Sequence, residues 1–135
     1  MKNMNFVHPR DQIVEMMGRI YRYGLTTTSG GNLSILDNEG NIWISPAGID
    51  KGNLRRVDIM CVTPKGDILG PHRPSSEFPF HKDIYKLRPD IRAVVHAHPP
   101  TLVSFSVAGK IPNTSVFPNA KSICGTVGCA PLRNE

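Results

Sequence analysis

Residues 32–45 read NLSILDNEGNIWIS. Two short runs, LSILD and NIWIS, alternate apolar and polar residues on either side of Asp37-Asn38-Glu39-Gly40. That pattern predicts a β-hairpin, because side chains two apart on a strand share a face and Asn, Asp and Gly suit tight connections. On the N-terminal side, PRDQIVEMMGRIYRYG (9–24) predicts a helix. Pro9 suits its first turn, Asp11 the positive end of its dipole and Gly24 its stop. Ile13, Met16, Met17, Ile20 and Tyr21 recur at helical spacing and form its core face. On the C-terminal side, SPAGIDKGNL reads as a loop, DIMCVTP as a strand, Lys65-Gly66-Asp67 as a turn and ILG as a second short strand. PSSEFPFHKDIYKLRPD (74–90) predicts a helix capped by Ser75 or Ser76, with Pro89 beyond its end. IRAVVHAH (91–98) is a strand, and PTLVSFSVAG (100–109) a helix opened by Pro99-Pro100. After Lys110 the pattern has little period. Hairpin strands followed by strands alternating with helices imply an α/β, α+β-like fold in which helices flank one sheet.

The chain has 135 residues, 39% of them hydrophobic, which suits one domain (1–135) with a real core. Its net charge is +5, but the basic residues are scattered, the densest groups being Arg55-Arg56 and the spread Lys82, Lys86, Arg88 and Arg92. This is a solvated surface with some bias toward anionic small molecules. No basic stripe is interleaved with aromatics and no recognition motif appears, so no nucleic-acid partner is expected. There is no apolar run of membrane-spanning length, and MKNMNFVHPRDQ lacks the apolar core of a signal peptide. Three cysteines, Cys61, Cys124 and Cys129, are odd in number and mostly far apart, which points to reduced thiols and a cytoplasmic setting. Cys124 and Cys129 read as buried apolar filler rather than a metal pair. Neither a low-complexity linker nor an internal repeat is present.

VVHAHPP (94–100) ends the last predicted strand. His96 and His98 project to one face with Ala97 turned away, and two neutral imidazoles side by side suit a divalent transition metal. The plainer reading is a pair of ordinary histidines at a strand end. A cupin would follow the pair with a glutamate, and a metal-dependent amidohydrolase would carry it on the first strand of a far longer chain; neither context fits. Upstream, Glu77 and His81 are four apart and share a helix face. Glu77 is a candidate ligand or general base, or an exposed first-turn glutamate; His81 reads as a core or outer-sphere histidine. TSGGNLS (28–34) is neither a Walker loop nor a dinucleotide fingerprint. It does combine Gly30 and Gly31 with neutral donors from Ser29, Asn32 and Ser34, and SPAG (45–48) and SSE (75–77) add two further donor-rich turns. Such turns can cradle a phosphate, although each alone is ordinary turn chemistry.

The order SGGNLS, SPAG, PSSEFPFH, RPDIRAVVHAHP resembles the class II aldolase/adducin-like family, most closely its L-fuculose-phosphate aldolase and ribulose-phosphate 4-epimerase branch. The resemblance runs from about residue 9 to the end. It implies a mixed, mostly antiparallel sheet flanked by helices. It also implies a cyclic homotetramer with active sites at subunit interfaces, and one Zn2+ per subunit. His96 and His98 match two zinc ligands, and Glu77 the metal-proximal carboxylate that serves as ligand and base. Asn32, Gly48, Ser75 and Ser76 match phosphate-binding positions, with Gly31 and Ala47 beside them. The implied reaction is reversible cleavage of a ketose 1-phosphate, such as fuculose 1-phosphate, to dihydroxyacetone phosphate and an aldehyde. Epimerase or dehydratase chemistry, or a non-catalytic adducin-like interaction module, are the alternatives. Two departures stand out. No histidine follows His98 to supply the family's third zinc ligand, and Val116 or Phe117 occupies the position of its acid tyrosine. The family's later strands and helices lie beyond the closing APLRNE, so the chain reads as an N-terminal portion.

Overall fold

In the computed structural model, residues 7–130 are described; residues 1–6, and all of the closing APLRNE except Ala130, lie outside them. The chain divides into two compact units, one ending at His98 and the other beginning at Pro99. In the first, helix α1 (Pro9–Arg22) precedes strands β1 (Asn32–Leu36), β2 (Ile42–Ile44), β3 (Met60–Val62) and β4 (Ile68–Leu69), then helix α2 (Phe78–Leu87) and strand β5 (Ala93–His96). The strands form one sheet in the order β4-β3-β2-β1-β5, and every pairing among the described strands is antiparallel.

The hairpin forms where the sequence predicts it. Ser34 pairs with Ile44, Ile35 with Trp43 and Leu36 with Ile42. Asp37 closes the turn: its Oδ1 accepts from the amides of Glu39 and Asn41, and its Oδ2 accepts from Trp43 Nε1 at 2.8 Å. Burial pushes the Asp37 carboxyl up, but the bonds from Asn41 and Trp43 outweigh it and hold the group below its usual value. The register settles what each face of the sheet does. Leu33, Ile35 and Trp43 pack on the α1 side, with Ile13, Met17, Leu54 and Ile59 buried at the centre of that core. Asn32 and Ser34, one residue out of phase, lie on the opposite face, where His81 and Tyr85 of α2 are buried against them. β5 brings His96 opposite Asn32 and Val94 opposite Ser34, so His96 joins the polar face.

Several boundaries differ from the sequence reading. The second predicted helix starts late. Its cap position is Glu77, whereas Ser75 is drawn to the end of β2 by a 3.1 Å bond from its amide to the Ser45 carbonyl. From there the Ser75 hydroxyl accepts the Glu77 amide at 3.3 Å, so Ser75 closes a turn before the helix. β5 stops at His96; His98 lies just past it, with its amide bonded to the Leu25 carbonyl.

The second unit holds α3 (Pro100–Val107), a single 3-10 turn at Thr114–Val116 and α4 (Pro118–Cys124). Neither helix has a buried residue, and Val116, Phe117 and Ile123 are exposed. A helix that buries no face carries no apolar period, which is why residues past 110 read as patternless. All three thiols are free; Cys61 is buried, but Cys124, at the end of α4, and Cys129, beyond it, are exposed, not core filler as the sequence suggested. No helix among the described residues is long and apolar enough to cross a membrane.

Asp58 ties the loops before β3 and after β4. It is buried, and it accepts from the Arg55 amide and guanidinium while meeting His72 Nε2 at 2.9 Å. The bond from Arg55, then that from His72, hold its carboxyl well below the usual carboxylate range despite burial. A depressed carboxyl stabilises the fold fully above its unfolded value, about 3.9, and that contribution is lost as pH falls toward the folded one. Urea unfolding between pH 6 and 2, ordinary buffers being chosen, is therefore expected to show a decline below about pH 4 that is shallower in Asp58→Asn. Equal slopes in the two proteins would refute this role.

Candidate active site

Asn32 is the hub of the polar face. Its Nδ2 donates to Glu77 Oε2 at 3.0 Å and lies 3.3 Å from His96 Nδ1, while its Oδ1 meets His81 Nε2 at 2.5 Å. Behind it, the Ser34 hydroxyl lies 2.7 Å from His81 Nδ1 and 2.7 Å from the Tyr85 hydroxyl. Proton positions follow from the donors available. Because Asn32 gives its amide hydrogen to Glu77, its oxygen must accept from His81 Nε2–H. His81 Nδ1 then accepts from Ser34, and Ser34 accepts from Tyr85. Burial drives His81 below its usual value, with Glu77 opposing, in keeping with the neutral ring this order requires. Burial also pushes the Tyr85 hydroxyl up, keeping it a donor. The whole chain of bonds thus runs in one direction and ends on the Glu77 carboxylate.

Glu77 Oε2 lies 2.5 Å from His96 Nδ1. Burial raises the Glu77 carboxyl, but the Asn32 bond and His96 more than offset it and leave the group below its usual value, hence ionised at neutral pH. With Nδ1–H given to the carboxylate, His96 turns Nε2 outward as a lone pair. That atom is 3.1 Å from His98 Nε2. Two nitrogens on one tetrahedral metal at 2.0–2.1 Å each would be about 3.3 Å apart. A carboxylate on the far nitrogen of a ligating imidazole is a recurrent support of such sites. The donor set therefore fits a transition dication held by His96 and His98. Glu77, expected as a ligand or base, meets the ring from its Nδ1 side, and no three His, Cys, Asp or Glu side chains among the described residues are arranged to hold a metal together.

The glycines before β1 are bare because the loop lies against the histidines. A Cβ on Gly31, whose φ is +67°, would come within 2.7 Å of the His96 carbonyl oxygen, and one on Gly30 within 2.9 Å of His98 Nδ1. Gly31 must also adopt an angle that a side chain disfavours. Gly48 has φ +69° and open space where a Cβ would stand, so there only the turn demands glycine. A hollow of about 150 Å³ is lined by Gly31, Asn32, Gly48, Ser75, Ser76 and Glu77, together with His98, Lys51 and Ala47. Eight of the nine residues proposed from sequence therefore line this hollow, and the ninth, His96, adjoins it through Glu77 and His98. The Ala47 amide is committed to the Arg73 carbonyl at 2.9 Å, so Ala47 shapes the turn while its N–H is spoken for. Sequence reasoning missed Lys51 as part of this lining, and it read Ser34 as a donor of the phosphate loop, whereas its buried hydroxyl, like that of Tyr85, supports His81 from behind. The signal for Ser34 and Tyr85 was present: Ser34 breaks the apolar strand, and Tyr85 lies four residues after His81.

Tyr85→Phe is expected to lower the unfolding free energy by about 1 kcal/mol, the worth of one neutral buried bond. Its effect and that of Ser34→Ala should be non-additive, since both cut one chain. Urea unfolding of the two single variants and the double variant tests this, and strict additivity would mean that the bonds act independently.

The N-terminal domain family of class II aldolases and adducins matches residues 11–135. An aldolase from Rhodospirillum rubrum acting on 5-methylthioribulose 1-phosphate and 5-deoxyribulose 1-phosphate is 36% identical over 101 residues, 75% of this chain and 45% of that protein. A 3-oxo-tetronate 4-phosphate decarboxylase from Escherichia coli is 32% identical over 124 residues, 91% of this chain and 58% of that one. The solved structure of an L-fuculose 1-phosphate aldolase superposes with a TM-score of 0.71 at 29% identity, covering 78% of this chain and 51% of the other. The chain spans about half the length of the curated relatives it matches. With the family model matching residues 11–135 and the fold shared with that solved aldolase, the chain belongs to the class II aldolase and adducin family.

Proposed function

We propose that this chain carries the metal and phosphate half of a zinc-dependent aldolase, acting on a ketose 1-phosphate in the cytoplasm as part of a homotetramer. The observation that carries the reading is the meeting of an ionised Glu77, two facing imidazole Nε2 atoms and a donor-lined hollow within a few ångströms of one another. His96 and His98 would hold the metal, and bound zinc would supply a Lewis acid for the ketose carbonyl and its neighbouring hydroxyl. The remaining work falls to the chain itself. Ser75 and Ser76 offer hydroxyls, and Gly48 and Ser76 offer backbone amides that bond no other described residue, so all would be available to a phosphate in the hollow as neutral donors. Fixing the phosphate sets the distance from there to the reacting carbons. Glu77 takes and returns the proton on the dihydroxyacetone phosphate side, and Asn32 keeps its carboxylate aimed and charged. The aldehyde half lies outside what these residues would touch.

Decarboxylation of a 3-oxo acid phosphate is a second reading, favoured by the Escherichia coli relative. It uses the same phosphate and metal groups but releases carbon dioxide, so product analysis separates the two.

Purified protein should bind Co2+ with a visible d–d spectrum that His96→Ala abolishes; an unchanged spectrum in that variant would remove the metal from this site. Glu77→Gln should keep the cobalt spectrum yet lose solvent exchange of the dihydroxyacetone phosphate C–H proton by on the order of a hundredfold or more. Exchange at the parent rate would exclude Glu77 as the base. Ser76→Ala should weaken dihydroxyacetone phosphate by on the order of tenfold or more, about the worth of one hydrogen bond to a charged group, and leave dihydroxyacetone unaffected. Equal losses would count against the phosphate turn.

A further inference from the structure

Lys51 is the one cationic side chain among the residues lining the hollow, and it is only 3% exposed. A buried ammonium is costly unless its donors are met. Its Nζ donates to the Pro46 carbonyl at 2.6 Å and to the Ile49 carbonyl at 3.3 Å. An ammonium has three donors, and the third has no acceptor among the described residues. The Lys51 amide donates to the Thr28 carbonyl at 2.8 Å. Lys51 therefore fastens the 28–31 loop to the 46–49 turn, the two segments that wall the hollow on either side. Burial pushes the ammonium below its ordinary range, and Asp50 opposes this. Two neutral carbonyls and an Asp50 whose carboxylate is turned to the Gly52 amide leave a positive charge inside the protein without a facing anion.

We propose that Lys51 is a specificity-determining residue of the anion pocket: its buried ammonium supplies the positive charge by which the hollow selects a phosphate dianion over a neutral group. This rests on the reading of the hollow as a phosphate site and deepens it. The neutral donors of Ser75, Ser76 and Gly48 would orient the oxygens but bring no positive charge to balance a dianion. Lys51 would supply that charge, and a bond in which both partners are ionised adds a direct attraction that a neutral ligand cannot gain. It also opposes the charge of Glu77, which lines the same hollow and would otherwise repel an incoming anion.

The test uses the full chain with 15N in its lysine side chains and backbone, titrated with inorganic phosphate. An ammonium held by carbonyls exchanges slowly enough to give its own 1H–15N signal. Phosphate should move that signal together with the Gly48 and Ser76 amides, whereas neutral dihydroxyacetone should leave it in place. Lys51→Met, checked for folding by its amide spectrum, should raise the phosphate Kd by on the order of tenfold or more. If the Gly48 and Ser76 amides move but the Lys51 signal does not, the pocket binds phosphate and Lys51 has no part in selecting it. If none of them moves at saturating phosphate, the phosphate reading itself fails and takes this inference with it. The wild-type titration decides the matter even where Lys51→Met does not fold.

Discussion

The carboxamide of Asn32 is the constraint on which the site depends. An amide group has an acceptor at one end and donors at the other, so it can join a donor chain to a carboxylate only in one orientation. Here His81 takes the oxygen end and Glu77 the nitrogen end. Reversing the amide would set its oxygen against an ionised carboxylate and its hydrogens against an N–H. The buried bonds from Tyr85 through Ser34 and His81 therefore lock Asn32, and Asn32 locks Glu77. Glu77 in turn takes the Nδ1 hydrogen of His96 and leaves the Nε2 lone pair pointing toward His98. Each group's protonation follows from the one before it, and the sequence of bonds begins at the buried Tyr85 of α2.

The sheet makes this economy of parts workable by giving its two faces different tasks. Leu33 and Ile35 put apolar surface against α1, where Ile13 and Met17 are wholly buried. Asn32 and Ser34, alternating with them, bury polar groups against α2. A slip of one residue in register would send the amide into the oily side and the leucine into the site. The Asp37 carboxylate guards against that slip, because it bonds the turn and Trp43 together and so holds the pairing of β1 with β2. The bare backbone at Gly30 and Gly31 completes the arrangement by letting the preceding loop touch the histidine-bearing end of β5.

Much of the fold was legible because its signals are local. Alternation in LSILD and NIWIS, the turn formers between them and the apolar stripe of α1 each concern residues a few positions apart. The start of α2 was misjudged because the Ser75 amide bonds to the Ser45 carbonyl, thirty positions away, a partner that no propensity encodes. Residues after Lys110 gave little to read because α4 buries nothing. Cys124 and Cys129 resembled core filler only while an interior was assumed for them.

The sequence by itself determined which chemistry was on offer: two imidazoles in phase on a strand end, a carboxylate before a helix, and three turns rich in neutral donors. Those are matters of residue type and period, which neighbours along the chain suffice to specify. Only the tertiary structure decided that His96 would be met on its Nδ1 side by Glu77, that Tyr85 and Ser34 would stand behind them, and that a lysine in a loop would bring its charge inside. Hydrogen-bond direction and burial depend on partners tens of residues apart, such as Ser34 and Tyr85 or Asn32 and Glu77. Folding supplies those partners, and no local pattern records them.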